Sequence, residues 1–110
     1  MNPNIRTGTY TGDGSAHNVV LGFEPDYVRI INITDGNASF EWFSGMDAGH
    51  AYRNVNDGTT QNSVITSNGI SPYEGQRGGP DGAGFTAGTA VATNAKVFRY
   101  IAVRNGAGAG

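Results

Sequence analysis

Two stretches of this chain carry apolar side chains at both odd and even positions. They are Tyr27-Val28-Arg29-Ile30-Ile31-Asn32-Ile33 and Val97-Phe98-Arg99-Tyr100-Ile101-Ala102-Val103, and the pattern predicts central strands covered on two sides. Ser39-Phe40-Glu41-Trp42-Phe43 alternates instead, which turns Phe40 and Trp42 toward a core and Glu41 toward solvent or a partner. Runs rich in Val, Ile, Thr, Phe and Tyr recur at residues 7–10, 17–21, 63–67 and 85–89. Together with 27–34, 39–44 and 96–104 they predict about seven short strands. The expected fold is all-β, an antiparallel sandwich or barrel of jelly-roll-like form.

The punctuation agrees with this reading. Asp-Gly pairs stand at Asp13-Gly14, Asp35-Gly36, Asp57-Gly58 and Asp81-Gly82. Asp bonds its own backbone in a turn and Gly accepts positive φ, so each pair marks a strand connection. Their flanks differ from one another, so no internal repeat is inferred. Two polar segments, residues 45–62 and 68–84, exceed ordinary hairpin length and are expected to be long Gly-rich loops with a role in contact. Residues 1–104 form a single expected domain, and the ending 105–110, Asn-Gly-Ala-Gly-Ala-Gly, an expected flexible tail.

Composition narrows the function classes. Glycine supplies 18 of 110 residues, against a usual share of about 7%, and helix formers are scarce. Net charge is −2 and the Arg residues are spread from Arg6 to Arg104, which argues against a nucleic-acid partner. The chain has no Cys, so a disulfide framework and a thiolate metal site are excluded and a reducing compartment is favoured. No apolar run approaches the ~20 residues of a membrane span, and the start Met1-Asn2-Pro3-Asn4 lacks the basic and apolar segments of a signal peptide.

Searches for chemistry return turns and loops. Asp13, Ser15 and His17 are close in sequence, but Asp13-Gly14-Ser15 reads as a hairpin turn and no Gly-x-Ser-x-Gly elbow is present. His50 has no second His or Cys at ligand spacing, and the Asp-bearing loops lack the Asp/Asn ladder ending in Glu of a calcium loop. The glycines around residues 75–84 are not followed by Gly-Lys-Ser/Thr, so they form no phosphate loop. Asn32-Ile33-Thr34 and Asn37-Ala38-Ser39 are chance matches to the glycosylation pattern. Tyr10, Tyr27, Tyr52, Tyr73, Tyr100 and Trp42 suit packing or interface anchoring better than a sugar platform. No catalytic residue, cofactor site or metal site is expected. The candidate interface residues are His50, Tyr52, Arg53, Tyr73 and Arg77 in the long polar segments, with Arg104 at the end of the last strand.

Three ordered stretches carry a family resemblance. They are Gly8-Thr9-Tyr10-Thr11-Gly12-Asp13-Gly14, then Leu21-Gly22-Phe23-Glu24-Pro25-Asp26-Tyr27-Val28-Arg29-Ile30, then Gly84-Phe85-Thr86-Ala87-Gly88-Thr89 leading to Phe98-Arg99-Tyr100-Ile101-Ala102. The set resembles a β-module recurrent in structural proteins of tailed bacteriophages, with its Gly-Tyr-Thr-Gly-Asn/Asp-Gly opening, its Gly-Phe-x-Pro-Asp-x-Val turn and its late hairpin before a Tyr-rich strand. The resemblance implies a virion component with no enzymatic residues to carry over, and the lack of a signal-peptide pattern leads to the expectation that it is made in the host cytoplasm. The module usually sits inside longer tail or fibre chains. Standing alone, it is expected to be a capsid decoration (cement) protein that bridges subunits of the major capsid protein, as a homo-oligomer with a trimer favoured. The alternative is a tail, baseplate or head-fibre component that binds a glycan receptor.

Overall fold

The computed structural model describes residues 4–36, 38–55, 62–74 and 83–104. Among them are nine strands: β1 (Ile5–Thr11), β2 (His17–Val20), β3 (Tyr27–Asn32), β4 (Ala38–Phe43), β5 (Ala51–Val55), β6 (Ser63–Ile65), β7 (Ile70–Tyr73), β8 (Gly84–Ala87) and β9 (Val97–Val103). All pairings between them are antiparallel. They form a six-stranded sheet of order β1-β9-β3-β4-β5-β6 and a three-stranded sheet of order β2-β8-β7. The expected all-β sandwich is the observed fold.

The core lies between the sheets. Tyr10, Val28, Ile30, Phe40, Trp42, Ala51, Phe98 and Ala102 come from the large sheet, and Val19, Ile70, Phe85 and Ala87 from the small one. Leu21 and Phe23 fill it from the β2–β3 connection, and Val91 from a 3-10 turn at Thr89–Val91. Phe40 and Trp42 are buried as their alternation requires. Tyr10 brings a hydroxyl into this apolar space, and it donates to the Val91 carbonyl at 2.7 Å. Burial raises the pKa of that phenol, because the ionised form would lose its hydration.

Turn chemistry sets the connections. Between β1 and β2 the Ser15 N–H donates to Asp13 Oδ1 at 2.9 Å, the side-chain turn that Asp-Gly predicts. Gly12 precedes it at a close crossing, where a Cβ would lie 2.3 Å from the Thr93 oxygen and 2.5 Å from the Ala92 carbonyl carbon. After β3, the Asn32 side-chain oxygen accepts from the Thr34 and Asp35 N–H groups at 3.0 and 3.1 Å. Lys96 reaches Asp35 at 3.0 Å and ties this turn to the start of β9. The other two Asp-Gly pairs and the tail 105–110 lie outside the described residues.

Two sequence expectations need correction. The count is nine strands among the described residues rather than about seven, because the segments 45–62 and 68–84 contain β5 and β7. In β5 the inner-face position between Ala51 and Val55 is Arg53, across from Phe40, and this charge breaks the apolar alternation. In β7 Pro72 argues against a strand, yet β7 is the edge of the small sheet, where a missing N–H is tolerated. The second correction concerns β3 and β9. They are central in their sheet, but only their inner face is covered. Arg29, Arg99 and Ile101 on the other face are exposed.

Gly84 is the tightest point between β8 and β2, since a Cβ there would lie 1.8 Å from the Val19 carbonyl oxygen. Gly84→Ala must push the two strands apart and should cost roughly 3 kcal/mol. Tyr10→Phe, which leaves the Val91 carbonyl without its donor, should cost about 1–2 kcal/mol. Urea denaturation of the purified variants checks both values.

Candidate assembly surface

The outward face of the six-stranded sheet follows from its register. One row runs Thr7, Ile101, Arg29, Glu41, Tyr52 and Val64 across the six strands. The adjacent row runs Ile5, Val103, Tyr27 and Phe43. On the other side a third row runs Thr9, Arg99, Ile31, Ser39 and Asn54. Ile5, Phe43 and Val64 are 56%, 49% and 53% exposed, and Ile101 is 36% exposed. Single exposed apolar residues are ordinary, but several on one sheet face mark an interaction surface.

Charge and polarity on this face are mixed. The Tyr27 hydroxyl donates to Glu41 Oε2 at 2.7 Å, and its ring leans on Phe43 with centroids 5.0 Å apart. Desolvation first, then the hydrogen bond and the negative charge of Glu41, push the Tyr27 phenol up to about 12, with Arg29 opposing. Arg29 and Glu41 are cross-strand neighbours, yet among the described residues neither Arg29 nor Arg99 has a carboxylate at ion-pair distance. A shallow hollow of about 190 Å³ lies among Thr7, Arg29, Ile31, Arg99, Tyr100 and Ile101. Ligand pockets are usually about 300–1,000 Å³, so the hollow suits an inserted protein side chain.

The candidate interface residues do not converge. Tyr52 is on the outer face just described. Tyr73 pairs with Gly84 beside Val20, on the outward side of the other sheet. Arg53 is on the inner face, with its Nε buried and without a hydrogen-bond partner among the described residues. His50 stands before β5 with Nε2 4.0 Å from Asp47. Arg104 covers the Phe23 ring at 4.9 Å and donates from Nε to Asn4 at 3.2 Å, so it serves the fold. Arg77 lies outside the described residues. Sequence reasoning missed Ile5, Arg29, Phe43, Val64 and Ile101, and held Tyr27 only among the aromatics suited to packing or interface anchoring. The two-sided apolar pattern of β3 and β9 was the signal for this face, read there as cover from within the chain.

No family model, curated protein or solved structure matches this chain. Among the described residues no cluster of three His, Cys, Asp or Glu side chains could hold a metal ion.

Tyr27 also gives this face a pH signature. Its folded pKa of about 12 stands above the ordinary phenol value of 10.0, so its contribution to stability is complete below about pH 10 and is lost as pH rises toward 12. Tyr10 shifts in the same direction. Denaturation midpoints measured across this alkaline range should therefore fall for the native protein, and fall less steeply for Tyr27→Phe.

Proposed function

We propose that the protein is a non-enzymatic structural component of a tailed-phage virion, a capsid decoration protein that acts as a homo-oligomer and bridges subunits of the major capsid protein. The observation that supports it best is the uncovered outer face of the six-stranded sheet, with Ile5, Phe43, Val64 and Ile101 exposed around Arg29 and Glu41. The exposed apolar side chains of this mixed face are stabilised by contact with protein, at a gain of about 25 cal/mol per Å² of apolar surface removed from water. The phage assignment rests on the family resemblance. Its motifs are used by the fold: Gly12 at the β1 crossing, Phe23 and Pro25 buried in the turn entering β3, and Gly84 against β2.

The glycan-binding alternative would gain from aromatic side chains gathered on one surface. Tyr52 shares the outer face of the large sheet with Tyr27 and Phe43, but the Tyr27 hydroxyl is taken by Glu41 and its ring leans on Phe43, while Tyr73 is on the outward face of the other sheet and Tyr10 and Trp42 are in the core. This distribution favours assembly over receptor binding.

Phage heads that carry the protein should keep their DNA at temperatures at which heads without it release it. Heat resistance that is the same with and without the protein, together with its absence from purified heads, would refute the decoration role. Selective glycan-array binding that Tyr52→Ala abolishes would favour the tail or fibre alternative.

A further inference from the structure

We propose that the outer face of the six-stranded sheet is covered by the same face of a second copy, in a two-fold symmetric dimer. The inference rests on reading this face as an assembly surface, and it names the occupant. It starts from β3 and β9, which are apolar on both faces in sequence and covered on only one in the structure. Strands with that pattern belong in the interior of a layered stack.

The register makes the face complementary to itself. The strand order β1-β9-β3-β4-β5-β6 has its midline between β3 and β4. A two-fold axis between two such faces, running along that midline, lays β3 on β4 of the second copy, β9 on β5 and β1 on β6. In the central row Arg29 then stands opposite Glu41 of the second copy, and Glu41 opposite Arg29. Outward along the row, Ile101 meets Tyr52 and Thr7 meets Val64. Face-packed sheets cross at about 30° with a spacing of about 10 Å, which displaces the outermost strands most. The central charge pairs, nearest the axis, keep their register.

Extent agrees with this occupant. Six strands of three to seven residues, about 4.8 Å apart, present roughly 550 Å² per partner, close to the roughly 600 Å² at which specific protein interfaces begin. A two-fold contact joins one patch to itself, whereas a cyclic trimer joins two different patches. The alternation of Arg29 and Glu41 about the midline fits the former. Such a dimer leaves two identical sets of loops free, which gives a decoration protein two points of attachment.

Light scattering of the purified protein should give twice the chain mass of 11.4 kDa. Arg29→Glu places Glu opposite Glu, and Glu41→Arg places Arg opposite Arg, so each variant should dimerise at least about tenfold more weakly. Mixed together, the two variants restore both opposite-charge contacts and should form a heterodimer, an outcome that repulsion within one chain cannot produce. Because the chain has no cysteine, a short bismaleimide should link Ile101→Cys to Tyr52→Cys across the interface, which serves if either charge variant fails to fold. A wild-type mass of one or three chains, a mixture of folded variants that stays monomeric, or an absent cross-link would overturn the dimer. Binding to purified heads separates this from the decoration role: a monomer that binds heads sinks only the dimer, and a dimer that does not bind them sinks only the role.

Discussion

The pairing of β3 with β9 holds the large sheet together. Residues from Tyr27 to Asn32 align antiparallel with those from Phe98 to Val103, and β9 also pairs along its whole length with β1. The two ends of the described chain thus meet in one ladder, and β4, β5 and β6 extend it from the other side of β3. The β3–β9 pairing joins β1, which attaches only through β9, to the sequential meander β3-β4-β5-β6. A shift of one residue would exchange Val28 and Ile30 for Arg29 and Ile31 in the core, and burial of an unpaired guanidinium forbids it. Contacts this distant in sequence require long-range loop closure, the feature that makes all-β folds slow to form.

The second sheet is smaller because its task is narrower. Three strands, with Leu21, Phe23 and Val91 from the connections, suffice to cover the inner face of the large sheet. Hydroxyl and amide groups brought into or beside the core are satisfied locally, Tyr10 by the Val91 carbonyl and Asn32 by the turn that follows it. The inner face is therefore covered within one chain, with the buried Arg53 Nε left without a partner among the described residues. The outer face is left uncovered, and it combines exposed branched side chains, a Tyr–Glu hydrogen bond and two Arg without carboxylate partners among the described residues, the mixed composition on which the proposed assembly role draws.

Much of this was legible in the residues. Alternation at Phe40 and Trp42 and turn formation at Asp13-Gly14 follow from side-chain period and Asp-Gly turn chemistry, which act over a few residues. Strands β5 and β7 were not legible, because Arg53 and Pro72 interrupt the local signal and only pairing with neighbouring strands overrides it. The candidate interface was the least legible part. His50, Tyr52, Arg53, Tyr73 and Arg104 are close to one another or to loops in sequence, yet they fall on different faces of the sandwich.

What the sequence by itself determined was the all-β class, seven of the nine strands found among the described residues, and the inward placement of Phe40 and Trp42. It also carried the two-sided apolar pattern of β3 and β9. Only the tertiary structure decided that the small sheet covers one side of these strands and leaves the other bare. The reason is physical: periodicity records that a side chain needs an apolar neighbour, whereas strand order and sheet packing decide whether that neighbour comes from the same chain.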